Sequence, residues 1–203
     1  LGRGGSDTSA ALLAGRLSAS RLEIWTDVPG LFSADPRLID GARLLSEVDY
    51  AEALEMAASG AKVVHPRSIR AAAATNTPVL IRDLDRRGVA GTRIGSRVAG
   101  RSGVKTVTCQ KQMAVILLQN LDARFQVGFL AEVFDTVRKR GVSVDLVATS
   151  ETTTTIAINC DSNHLGNDEL KDLAEDLSAL CKVTLFRDCV CINLVGRGAR
   201  TAL

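Results

Sequence analysis

Helix and strand patterns that alternate up to about residue 82, a Gly-, Arg- and Ser-rich stretch after it, and a βαββαβ order beyond residue 105 predict an α/β chain, a layered α/β unit followed by a ferredoxin-like split βαβ unit. The first unit opens with a helix. Small and apolar residues from Asp7 to Ser20 follow the run LGRGGSD, with Ser6 or Asp7 as the expected N-cap. A short buried strand at 22–25 precedes a loop carrying Asp27, Pro29, Gly30, Asp35 and Pro36. A helix from about residue 50 stops at Gly60, a second starts near Pro66, and a strand follows at 78–82. Residues 83–105 lack a sustained apolar period and read as a connector.

In the second unit MAVILLQ is a strand, and Phe129, Leu130, Val133, Phe134 and Val137 form a helical stripe. Val142, Val144, Leu146 and Ala148 then alternate as a strand, and TTTIAIN is the next one. Leu170, Leu173, Ala174, Leu177 and Leu180 repeat the helical period before KVTLF and CVCINLV, which read as two further strands. The expected boundaries are 1–100 for the first domain and 106–188 for the second.

Composition narrows the function. The 203 residues are 46% hydrophobic and 24% charged, enough for one large domain or two small ones. A net charge of +2 without a basic stripe, and only 3% aromatic residues, supply neither the phosphate clamp nor the stacking platform of a nucleic-acid binder. No apolar run reaches the roughly 20 residues that span a bilayer, no stretch resembles a signal peptide, and the chain reads as a soluble cytoplasmic protein. The odd set Cys109, Cys160, Cys181, Cys189 and Cys191 has no CxxC pair and reads as reduced thiols. His65 and His164 lack ligand-spaced companions, so no metal site is expected.

GRGGSD before a helix can cradle an anion, because glycine permits close backbone approach and the helix N-terminus adds favourable potential. Arg3 can pair with a carboxylate. Asp7 makes sense there if it orients a cationic group, which phosphoryl transfer needs. The same residues also read as a Gly-rich turn capped by Asp, and the pattern alone leaves both open. The run is neither a Walker A loop nor a GxGxxG fingerprint. In TDVPGLFSADPR, Thr26 and Asp27 are candidates for ribose or adenine edges and Arg37 for phosphate, with Lys62 as a second counter-charge. Each is also readable as a solvated surface residue.

Taken together, LGRGGSDTSAA, IWTDVPGLFSADPR, GAKVVHPRSI, GFLAEVF and VSVDLVATSE resemble the aspartate kinases of the amino-acid kinase family along essentially the whole chain. The resemblance implies the C-terminal part of a three-layer α/β/α kinase domain and a regulatory ACT domain. It implies MgATP-dependent phosphorylation of the β-carboxylate of L-aspartate. Arg3, Gly4 and Ser6 would then hold aspartate, Asp7 would orient the catalytic lysine, and Thr26, Asp27, Phe32, Arg37 and Lys62 would line the ATP site. Phe32 stands where the family often has tyrosine. The lysine of the family's N-terminal Lys-Phe-Gly-Gly motif is not in this chain, so the chain alone is expected not to turn over. Residues 189–203 would start a second, truncated ACT unit.

The likeness is to lysine-sensitive kinases and to fusions with diaminopimelate decarboxylase. It implies an effector, L-lysine or L-threonine, at a homodimer interface of ACT units. The helix start at Gly128, Phe129 and Leu130 would take the α-carboxylate, and Ser143, Val144, Asp145, Thr149 and Ser150 would complete the site, Asp145 meeting the ammonium group. A regulatory module without catalysis and a kinase acting on glutamate are the competing readings.

Overall fold

The computed structural model describes residues 4–61, 63–96, 103–120 and 126–199, and in it helix α1 (Gly5–Arg16) starts earlier than expected. Its N-cap is Gly4, at φ 74°, rather than Ser6 or Asp7, and no side chain caps it. A left-handed residue at that position suits glycine, which has no Cβ to clash. Ser6 and Asp7 therefore sit in the first turn, where an acid is favoured by the helix dipole. Ala11 and Ala14 face the core, while Leu12, Leu13 and Leu17 stay exposed.

Strands β1 (Leu22–Thr26) and β2 (Glu47–Asp49), helices α2 (Tyr50–Ala58) and α3 (Pro66–Ala74), and strands β3 (Val79–Asp83) and β4 (Thr92–Gly95) follow. The sheet order is β1-β3-β4-β2, with β1 parallel to β3, β4 antiparallel to β3 and β2 parallel to β4. Strand β4 lies within the stretch expected to be a connector, and β2 was not anticipated. Thr92 anchors β4: its hydroxyl donates to Leu45 O at 2.6 Å and accepts the Leu31 N–H at 2.9 Å. Asp49 caps α2 in a reciprocal box with Glu52. Val48, Ala53, Met56, Ile69, Ile81 and Ile94 fill the core, joined by Val195 from far along the chain.

The second unit runs β5 (Thr106–Gln119), α4 (Phe129–Lys139), β6 (Leu146–Thr149), β7 (Thr153–Asn159), α5 (Cys160–Asn163), α6 (Asn167–Ser178) and β8 (Lys182–Val195). Its sheet order, β6-β7-β5-β8, is that of the split βαβ fold, with β7 antiparallel to both β5 and β6. Phe129, Val133 and Val137 of α4 and Leu173 and Leu177 of α6 pack with Ile116, Leu118, Ile156 and Ile158 of the sheet.

Three expectations are corrected here. Strand β6 begins at Leu146, not Val142; Val142 and Val144 still pack against the core, but all four residues of β6 are exposed. The single-turn α5 was not expected. KVTLF and CVCINLV are one strand, because β8 stays in the sheet beside the equally long β5 through a single left-handed residue, Asp188 at φ 53°. Compact units comprise residues 1–109 with 192–203, and 110–191.

Candidate active site

Helices α1 and α3 lie side by side with their starts together. A Cβ placed on Gly4 would run into the His65 ring, and one on Gly15 would run into Thr75, so contacts occur at both ends of the pair. The N-termini of the two helices thus meet at Gly4 and His65. Thr8 closes the first turn of α1 onto Gly4 O through its N–H (3.1 Å) and its hydroxyl (2.8 Å). The N–H groups of Gly5, Ser6 and Asp7 are left pointing out of the helix end. Ser6 Oγ donates to Asp7 Oδ1 at 3.4 Å. Arg3 and Lys62 lie outside the described residues. His65 was missed by sequence reasoning, although the His-Pro pair at a helix start marks it as an N-cap: its Nδ1 accepts the Arg67 N–H.

Thr26 and Asp27 stand where β1 ends, at the carboxyl edge of the parallel β1–β3 pair, the usual ligand edge of such sheets. The Thr26 hydroxyl donates to Asp27 Oδ1 at 3.0 Å. Opposite Thr26 is Asp83, buried, accepting the N–H groups of Asp85 (2.8 Å) and Arg86 (3.2 Å) and so shaping the next turn. Phe32 bridges Leu44, and its carbonyl accepts the Thr106 hydroxyl at 2.8 Å. Arg37 is exposed and clamps Asp35 with Nε at 3.0 Å and Nη2 at 2.8 Å. That hydrogen-bonded carboxylate holds the Arg37 guanidinium above its ordinary range, and Asp27 adds a smaller push in the same direction.

A second cluster, not anticipated, surrounds the start of α2. Glu52 binds Lys105 Nζ at 2.6 Å and the Arg197 N–H at 3.1 Å, and the Arg197 guanidinium pairs with Asp49. A cleft of about 330 Å³ opens beside it, lined by Tyr50, Glu55, Ser96 and Gly196 among others.

In the second unit a cleft of about 380 Å³ lies at the start of α4, between Gly128, Phe129 and Leu130 on one side and Thr149, Ser150 and Glu151 on the other. Five of the expected effector residues meet there, and Gln126 and Glu151 join them. Ser143, Val144 and Asp145 are not on its wall. The Ser143 backbone is held by Asn163 through bonds of 2.6 and 3.0 Å, and Asp145 Oδ2 accepts the Asn159 N–H at 2.6 Å. Among the described residues no group of three or more His, Cys, Asp or Glu is arranged to hold a metal ion. No helix among them is long and apolar enough to cross a membrane.

Residues 1–83 match the amino acid kinase family. The chain is 36% identical over 198 residues to lysine-sensitive aspartokinase 3 of Escherichia coli, covering 97% of this chain and 44% of that protein. It is 33% identical over 207 residues to chloroplastic aspartokinase 3 of Arabidopsis thaliana, covering 100% and 37%. The crystal structure of E. coli aspartokinase III with lysine and aspartate in the T-state matches with a TM-score of 0.83 at 36% identity, over 97% of this chain and 44% of that one. The R-state complex with aspartate and ADP matches with 0.83 at 36%, over 100% and 46%. The chain spans less than half the length of these relatives.

Proposed function

Because this chain belongs to the aspartokinases of the amino acid kinase family, we propose that it forms part of an enzyme that transfers the γ-phosphoryl group of MgATP to the β-carboxylate of L-aspartate. A carboxylate oxygen of aspartate attacks the γ-phosphorus, and the bond to the bridging oxygen of ADP breaks. Mg²⁺ enters with ATP as part of the substrate. The observation that carries this reading is the start of α1 at Gly4–Asp7, set beside the start of α3: the N–H groups of Gly5, Ser6 and Asp7 have no acceptor within the helix and favour an anionic substrate.

Arg3 and Ser6 bind aspartate, the N–H groups at the start of α1 bind its carboxylate, and Asp7 orients the cation that neutralises charge on the transferred group. Thr26, Asp27 and Phe32 hold the nucleotide at the strand edge, with Arg37 and Lys62 on its phosphates. The R-state relative was solved with both aspartate and ADP, which supports a site for each of the two ligands. The test is a coupled ADP-release assay on the full-length protein with L-aspartate. Asp7→Ala should lower kcat on the order of one hundredfold or more with little change in KM for ATP. An unchanged kcat would reduce Asp7 to a first-turn acid of α1.

The second-unit cleft is the regulatory site of the same enzyme. Its α4 N-terminus meets an amino acid's α-carboxylate, and Glu151 meets a cationic group. L-Lysine is the first candidate, since the E. coli relative is lysine-sensitive and was solved with lysine; L-threonine is the second. Strand β6 is a sheet edge with exposed Leu146 and Val147, which suits pairing with a second copy. That cleft would equally serve a regulatory module without catalysis, a reading the ADP-release assay decides.

A further inference from the structure

Gly4 and His65 form a close contact that neither the phosphoryl-transfer reading nor the capping of α3 requires. A Cβ added at Gly4 would lie within 2.7 Å of His65 Cβ, Cγ and Cδ2, so the imidazole occupies the space of the side chain that Gly4 lacks. The ring is fixed from behind: Nδ1 accepts the Arg67 N–H at 3.2 Å, and the His65 carbonyl accepts the Ser68 N–H at 3.0 Å and the Ser68 hydroxyl at 2.7 Å. With Nδ1 an acceptor, this hydrogen-bond network assigns the ring proton to Nε2.

Gly4 itself has little local support. It is left-handed, at φ 74° and ψ 15°, and no side chain caps the helix it begins. A glycine there has wide conformational freedom. Among the described residues, the Thr8 bonds to its carbonyl and the His65 side chain beside it restrict it.

We propose that His65 is a positioning residue for the aspartate-binding turn Gly4–Ser6, acting through the face of its ring rather than through its nitrogens. The inference rests on reading that turn as the aspartate site. The ring is a wedge between the starts of α1 and α3, holding the N–H groups of Gly5, Ser6 and Asp7 in one orientation.

Two variants separate the ring from the cap. His65→Asn keeps a capping side chain and removes the ring, whereas His65→Phe keeps a ring and removes the acceptor. In the full-length kinase, His65→Asn should raise KM for L-aspartate about tenfold while leaving KM for ATP and Tm unchanged. His65→Phe should lower Tm by a few degrees and leave KM for aspartate within about twofold of wild type. Unchanged KM for aspartate in His65→Asn, or the reverse pattern between the two variants, overturns the proposal. Amide hydrogen exchange at Gly5, Ser6 and Asp7 needs no substrate and gives an independent readout: faster in His65→Asn, as in wild type in His65→Phe. Absence of aspartate-dependent ADP release from the wild type would sink the assigned reaction, while exchange would still decide the wedge; equal exchange in wild type and His65→Asn overturns it.

Discussion

Lys105 Nζ stands 2.6 Å from Oε2 of Glu52, a carboxylate only 4% exposed. The same carboxylate accepts the Asp49 N–H through Oε2 at 3.2 Å and the Arg197 N–H through Oε1 at 3.1 Å. Three stretches far apart in sequence therefore meet on one side chain. Glu52→Ala leaves a half-buried ammonium and two N–H groups without their acceptor, and breaking a fully buried pair from one side costs about 3–5 kcal/mol, an upper figure here because Lys105 is 18% exposed. Lys105→Ala should cost less, because Glu52 keeps its two N–H donors. Urea denaturation checks the ranking; equal midpoints for wild type and Glu52→Ala would show that solvent screens the pair.

Arg37 and Asp35 make a different kind of pair, exposed and confined to one loop. If Arg37 serves ATP, Asp35 competes with phosphate for the same guanidinium face. In the full-length kinase Arg37→Ala should raise KM for ATP about tenfold, and Asp35→Ala should lower it. Nucleotide titrations in which both variants match wild type would return Arg37 to the solvated surface.

If the second-unit cleft takes an amino-acid effector, two acids should separate in their roles. Glu151 lies on the wall of the cleft, and Asp145 accepts the Asn159 N–H at the end of β7. Calorimetric titration with L-lysine should show Glu151→Ala losing about tenfold or more in affinity. Asp145→Ala should bind nearly as wild type while melting at a lower temperature, since it loses a charge-assisted hydrogen bond. Loss of binding in Asp145→Ala alone would move the ammonium partner back to Asp145.

Acid should loosen the second unit. Asp176 is held below the usual carboxylate range by the hydrogen bond from Arg140 Nε at 2.6 Å, and Asp135 is held there by Lys139 and then Arg138. For a depressed carboxyl the stabilisation is fully present above the unfolded value, about 4, and disappears as pH falls through the lower folded value. Thermal midpoints followed by circular dichroism should hold from pH 7 to about 5 and fall below about 4. Asp176→Asn, which has no such carboxylate to titrate, should show a shallower fall; identical slopes would exclude the Arg140 link between α4 and α6.

The long elements are legible in the sequence because burial follows their period, as in Phe129, Val133 and Val137 of α4 or the alternation of β7. Strands β2 and β4 are not, since three or four residues display no period and their pairing is decided by distant partners such as Leu31 and Leu45 on Thr92. The α1 cap was misread because Ser and Asp are stronger general caps than a glycine whose positive φ is set against a tertiary neighbour. Asp188 looks like a turn locally, yet β8 continues through it beside β5. For the site, GRGGSD is visible as a loop that favours anions, but the roles within it come from resemblance. The Glu52 cluster and the His65 ring are set by contacts between segments, which no local spacing encodes.

Gly103 N–H donates to Arg197 O at 2.6 Å and Lys105 N–H to Val195 O at 2.8 Å, so the chain leaves and re-enters the first unit through one hydrogen-bonded neck. Topologically, residues 110–191 are an excursion from a fold that is otherwise continuous. The entropy of closing such an excursion grows only with the logarithm of its length, so its contents can change without reopening the neck. Every member of the first core, from Ala11 to Val195, lies outside it. Residues 110–191 are therefore a module whose sequence can drift while the first core stays closed behind its neck.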